Sequence, residues 1–199
     1  MRTPKLARLT AIALVTPALL AMTSGGSFMT LQPASRLWVS GTSTVRSFEC
    51  KAAVLDAKVG TIGSGTATAV ANASKAISSV AVSVPAAKLD CGNGTMNEHM
   101  MKALKAKDAP MITFELAGYE LAKGEAGTQV TMQGTLSLGG QSRPVTLAAT
   151  AKDEGGTLRV TGTHALKMTE FGLKPPTLMM GTMKVNELVK VSFDLLLTD

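Results

Sequence analysis

Val130-Thr-Met-Gln-Gly-Thr-Leu-Ser-Leu138, then Gly139-Gly140, then Val145-Thr-Leu-Ala-Ala-Thr150, has the pattern of a hairpin. Val130, Met132, Gly134, Leu136 and Leu138 share one phase; Thr131, Gln133, Thr135 and Ser137 share the other. Successive side chains of a strand point to opposite faces, so this run is a strand with one dry face and one wet face. Gly139-Gly140 is a turn signal, and beyond it Val145, Leu147 and Ala149 alternate with Thr146 and Thr150. Two such runs joined by a short turn pair antiparallel.

The same period of two spreads outward in both directions. Upstream, Ile112, Phe114 and Leu116 alternate with Thr113 and Glu115, and Ile77, Val80, Val82 and Val84 run up to Pro85. Downstream, Leu158, Val160, Gly162, His164 and Leu166 share a phase, as do Val189, Val191, Phe193, Leu195 and Leu197. Lys123-Gly124 and Asp153-Glu154-Gly155-Gly156 supply further turns. Ala- and Thr-rich stretches at 36–45, 47–57 and 63–71 read as earlier strands with a weaker phase. One short helix is expected near residues 96–106. Thr95 and Glu98 fit a capping box, Met96, Met100, Ala103 and Leu104 fall near one face, and Lys102, Lys105 and Lys107 suit the C-terminal end. Phe171 to Val185, with Pro175-Pro176, Met179, Met180 and Met183, reads as a long connection. About eight strands with short turns make an all-β chain, either a sandwich or a closed up-and-down barrel.

Of the 199 residues, 45% are hydrophobic and 17% charged, which excludes a disordered chain. The net charge of +6 owes half its value to Arg2, Lys5 and Arg8. Cations elsewhere are scattered and aromatics make up 4%, so neither a nucleic-acid surface nor the aromatic girdles of an outer-membrane barrel is present. Residues 1–24, a basic start followed by the apolar run Leu9–Met22, read as a signal peptide. That run is shorter than the roughly 20 residues a spanning helix needs, and Pro17 interrupts it. Residues 25–34 read as a leader and 35–199 as one domain, periplasmic or secreted, with no transmembrane segment in the mature chain. Cys50 and Cys91 in an oxidising compartment favour a disulfide over two buried thiols. A metal site would need more ligands than His99 and His164 offer.

Val80-Ala-Val-Ser-Val-Pro-Ala-Ala-Lys-Leu-Asp90, Met96-Asn-Glu-His-Met-Met-Lys-Ala-Leu104 and Ala109-Pro-Met-Ile-Thr-Phe114 together resemble the YceI-like family. Gly134 to Leu147, with Arg143-Pro-Val145 at its centre, is similar to that family's hairpin, and Phe171-Gly172-Leu173 with Val189–Leu197 fits its C-terminal section. Gly41-Thr-Ser-Thr-Val-Arg-Ser-Phe48 departs from the opening of some members, Arg46 and Phe48 standing where those have His and Trp. The resemblance implies an extended eight-stranded antiparallel barrel of lipocalin-like form. It further implies an exported protein that holds a long isoprenoid or other amphipathic lipid in its lumen, and it brings no catalytic residues.

The residues carry no competing chemistry. Gly63-Ser-Gly65 lacks the ending of a phosphate loop. His99 beside Glu98 reads as a surface or helix-packing side chain, and His164 as lumen-facing, either a core histidine or a donor to a ligand headgroup. The expected lumen wall is Ile112, Phe114, Met132, Leu136, Leu147, Val160, His164 and Phe193. The expected mouth is Met100, Met179, Met180, Arg46 and Arg143. The expected partner is a polyprenyl compound, a quinone or a fatty acid, with no cofactor and no metal. Ala148, Ala149, Gly134 and Gly162 are expected to leave space inside. The competing readings are a partner-binding envelope protein with a filled barrel and, behind it, a hydrolase.

Overall fold

The structure is a computed structural model and describes residues 27–178, 180 and 182–199. The expected signal peptide lies outside the described residues, as does Met179. The chain opens with β1 (Ser27–Leu31), β2 (Arg36–Thr42), β3 (Ser47–Ala52) and β4 (Asp56–Thr61), followed by α1 (Thr66–Ala71). Next come β5 (Ile77–Pro85), β6 (Leu89–Asp90) and α2 (Gly94–Ala103). The long strands β7 (Met111–Gly124), β8 (Gly127–Leu138), β9 (Gln141–Glu154) and β10 (Thr157–Lys167) form a meander. A small hairpin of β11 (Thr177–Leu178) and β12 (Met183–Lys184) precedes the closing strand β13 (Leu188–Thr198).

Eight antiparallel strands close a ring in the order β1, β4, β5, β7, β8, β9, β10, β13 and back to β1. Closure leaves no ring strand without a neighbour on either side. The first two ring strands are each built in two pieces. Leu197 and Thr198 of β13 pair with β1, whereas residues 190–194 pair with β2. Pro33 lies in the break between the pieces, and there Ser35 Oγ both donates to the Leu196 carbonyl and accepts from its N–H. β3 extends β4 in the same manner, pairing β2 on one side and β6 on the other.

Four sequence expectations change. The leader expected at 25–34 contains β1, a barrel strand of only five residues in which Met29 is buried and Phe28 exposed. The strand expected at 63–71 is a turn followed by α1. Gly63 and Gly65 take positive φ, and Thr66-Ala-Thr-Ala-Val-Ala71 buries Ala67 and Val70 at helical spacing. The strand expected at 47–57 is two strands, β3 and β4. Finally, α2 begins earlier than its expected box, because Asn93 Oδ1 accepts the Met96 N–H as the N-cap. The C-terminus of α2 does fall before Pro110.

The turns divide into two ends. At one end α1 sits over the lumen, and Met29, Val59, Ala67, Val70, Leu158 and Leu197 form a buried cluster. At the other end α2 and the described residues of 168–187 gather round the lumen. There Leu89, Leu104, Leu138, Leu166, Phe171 and Leu173 make a second cluster. No described helix is long and apolar enough to cross a membrane.

Candidate functional site

Strand alternation puts one side chain in two into the lumen, and these are almost all hydrocarbon. They enclose a cavity of about 310 Å³ running most of the barrel's length, at the small end of the range for ligand sites. At the α1 end the wall is Ala57, Val59, Val70, Ala151, Leu158 and Leu197, all buried. At the α2 end it includes Ser43, Arg46, Met96, His99, Pro176 and Met183, and Arg46 is exposed. The cavity is thus sealed at one end and meets solvent at the other.

All eight residues expected in the lumen wall line this cavity: Ile112, Phe114, Met132, Leu136, Leu147, Val160, His164 and Phe193. Of the expected mouth residues, Met100 and Arg46 line it too. Arg143 does not. It is exposed, and its Nε donates to the Glu170 carbonyl at 3.2 Å, joining β9 to the turn after β10. Met180 does not either: it is fully exposed with φ +54, so its side chain stands in solvent.

The glycines also differ from expectation. A Cβ on Gly134 would lie 2.6 Å from the Phe114 ring, and one on Gly162 would lie 2.4 Å from the Phe193 ring. Each glycine is therefore the bed of an aromatic ring rather than vacant space, and Gly41 serves Phe48 in the same way. Ala148 is exposed and lies outside the lumen, whereas Ala149 is buried. The rings lie flat against the wall, and a slender channel remains.

Tyr119, Leu121 and His99 are among the wall residues that the sequence reading did not place there. β7 shifts register between Leu116 and Gly118, which moves the inward phase from Ile112, Phe114 and Leu116 to Tyr119 and Leu121. The Tyr119 hydroxyl accepts the Ile77 N–H at 3.0 Å and donates to the Ile77 carbonyl at 3.2 Å. It is therefore committed to backbone, and Tyr119 offers the lumen only its ring. His99 lines the cavity from α2. The signal that could have found it is its spacing of three from Met96 and four from Ala103, which shares their helix face.

Hydrogen-bonding capacity in the wall is sparse. Ser43 Oγ is spent on its own turn, donating to the Arg46 carbonyl and accepting from the Val45 and Arg46 N–H groups. Neither His99 nor His164 has a hydrogen-bond partner among the described residues. Arg46 Nη2 lies 3.4 Å from Met96 Sδ. The Arg46 guanidinium and the His99 and His164 imidazoles are polar groups of the wall that a bound molecule can address. Among the described residues no three His, Cys, Asp or Glu gather as a metal site.

The rim is firmly tied. Cys50 and Cys91 form a disulfide (S–S 2.03 Å) that fastens β3 to the start of the α2 segment. Asp90 Oδ1 accepts from Asn97 Nδ2 and the Gly92 N–H, which together hold its carboxyl below the usual carboxylate range. Asn97 Oδ1 in turn accepts the Cys91 N–H at 2.7 Å.

Comparison with known proteins agrees with this geometry. Crystal structures with the same fold include Burkholderia cenocepacia BcnA (TM-score 0.64, 20% identity, 81% of this chain and 95% of that one). A polyisoprenoid binding domain from Saccharophagus degradans is also similar (TM-score 0.58, 15% identity, 87% of this chain and 98% of that one). So is the Campylobacter jejuni YCEI protein (TM-score 0.57, 16% identity, 93% of this chain and 97% of that one). None of the curated proteins compared with the chain matches it. The sequence profile of the YceI-like domain matches residues 38–197, nearly the whole barrel. With its eight strands, its apolar lumen and this match along almost all of them, the chain belongs to the YceI-like family.

Proposed function

We propose that this protein is an exported carrier that holds one long apolar lipid chain in its lumen, a polyisoprenoid first and a quinone or fatty-acyl chain by the same physics. The observation that carries the reading is the cavity: slender, hydrocarbon-walled, sealed under α1 and open beside Arg46. A chain burying about 400 Å² of apolar surface there gains roughly 10 kcal/mol before ordering costs. The Saccharophagus structure named as a polyisoprenoid binding domain supports the choice of ligand. The basic, then apolar N-terminus and the Cys50–Cys91 disulfide support export into an oxidising compartment.

Arg46 and His99 stand where a headgroup would rest, so an anionic prenyl phosphate should bind more weakly as salt rises while a neutral quinone should not. The open cavity weighs against the filled-barrel reading. The occupied hydroxyl of Ser43 weighs against a hydrolase. The test is to delipidate the purified protein and titrate it with prenyl, quinone and fatty-acyl probes, with mass spectrometry of organic extracts from undelipidated protein beside it. Saturable uptake at micromolar concentration is expected. No uptake of any class, together with lipid-free extracts, would sink the carrier reading.

A further inference from the structure

The open end differs from the rest of the barrel in charge as well as in closure. In the segments gathered at the open end, 43–52, 86–111, 138–145 and 167–190, eleven Lys and Arg stand against six Asp and Glu. The rest of residues 27–199 holds six against eight. Lys102, Lys105 and Lys107, at and just beyond the C-terminal end of α2, are all exposed.

Apolar side chains project from the same end. Val45, 65% exposed, tops the β2–β3 turn, and Met180, 108% exposed, stands in the β11–β12 hairpin. These two tips are bonded to one another. Thr44 Oγ1 donates to the Thr182 carbonyl, the Thr44 N–H donates to the Lys184 carbonyl, and the Lys184 N–H returns to Thr44 Oγ1. Met111 and Leu188 add exposed apolar surface close by. Exposed apolar tips among unbalanced cations are the pattern of a surface that rests in the headgroup layer of an anionic bilayer.

From this we infer that the open end is a membrane-docking face. The Val45 and Met180 tips enter the interface, and the α2 lysines rest on anionic headgroups. The occupant is an anionic lipid bilayer, chosen on charge complementarity and on the coincidence of these tips with the only end where the described cavity wall reaches solvent. The inference goes beyond lipid carriage, and its readout is independent of ligand uptake.

The experiment is sedimentation of the protein with vesicles of phosphatidylcholine alone or mixed with phosphatidylglycerol. Binding is expected to the anionic vesicles only, declining as salt rises. Lys105→Gln with Lys107→Gln should weaken it about thirtyfold, at about 1 kcal/mol per cation. Val45→Ser with Met180→Ser should weaken it at least tenfold, and Lys58→Gln with Lys123→Gln, near the α1 end, should leave it unchanged. Equal binding to both vesicles, equal loss in the α1-end variant, or no vesicle binding at all would overturn the docking face, the last leaving the tips to a protein partner. Uptake of a detergent-dispersed prenyl probe by the same variants should match the parent, so a failed docking face is distinguishable from a failed carrier.

Discussion

Asp194 points away from the lumen, yet its side chain is only 9% exposed, because two arginines cover it. Arg159 meets it through Nε and Nη2, both at 2.8 Å, and Arg36 Nη2 lies at 3.1 Å. One carboxylate thereby clamps β2 and β10 onto β13 from outside. The Arg159 hydrogen bonds hold the Asp194 carboxyl below the usual carboxylate range against the opposing cost of burial, and Arg36 adds to them. A folded pKa lower than the unfolded one stabilises the protein above the unfolded value of about 4, and that stability is lost as pH falls through the lowered pKa. Asp194→Ala should therefore cost about 2 kcal/mol at neutral pH and progressively less in acid, as read by denaturant melts from pH 7 to 2; a pH-independent cost would contradict the clamp. On the inner face, Gly162→Ala should destabilise by about 1–3 kcal/mol. Its Cβ would meet the Phe193 ring at 2.4 Å and the Ala148 carbonyl at 2.7 Å, and only the ring is free to turn. A thermal midpoint equal to the parent's would show that the ring needs no such bed.

Among the elements, β9 and β10 are joined less completely than their lengths allow. β9 pairs β8 from Gln141 to Ala151, but β10 pairs β9 only up to Gly162 and Ala149, after which the two strands part toward the open end. Pro144 lies in the parted stretch of β9; proline gives no N–H and is found at strand edges, so the sequence carried this sign in plain view. Arg143 crosses the parting to the Glu170 carbonyl. The disulfide acts on the opposite side of the same rim. It closes a 41-residue separation, worth about 4 kcal/mol in the chain-entropy picture. Replacing both Cys50 and Cys91 by Ser should lower stability by that order. Amide exchange should quicken first in residues 91–104, the segment the bridge holds down, and a uniform increase around the barrel would show that the bridge does not act locally.

For the molecule as a whole, the barrel from Met111 to Thr198 was legible in the sequence because each of its strands buries one face and leaves one wet. Much of the first third was not, although β2 and β5 fall where strands were expected. β1 is only five residues long and puts Phe28 outside beside buried Met29, β4 sets Ala57 and Val59 among Asp, Lys, Gly and Thr, and α1 has Thr-Ala-Thr-Ala, which counts equally as a strand. The lumen residues followed directly from phase. Tyr119 did not, because a bulge shifts the phase without leaving a mark in composition. The rim was least legible: Arg46, Arg143 and Met180 differ in what they touch, and contacts between distant loops have no period to read.

The sealed α1 end has one more consequence. A chain that enters beside Arg46 can travel only until its tip meets Val70, Leu158 and Leu197, so the barrel is a depth gauge. In a homologous series of tails, affinity should climb by about 0.8 kcal/mol with each added methylene while the tip is still descending. It should then level off abruptly, the surplus standing outside in water. Titrating such a series would locate the step; a rise that never levels would mean that the floor yields. If the proposed function holds, the length at the step is the longest tail the lumen can bury, and Val70→Ala should lengthen it.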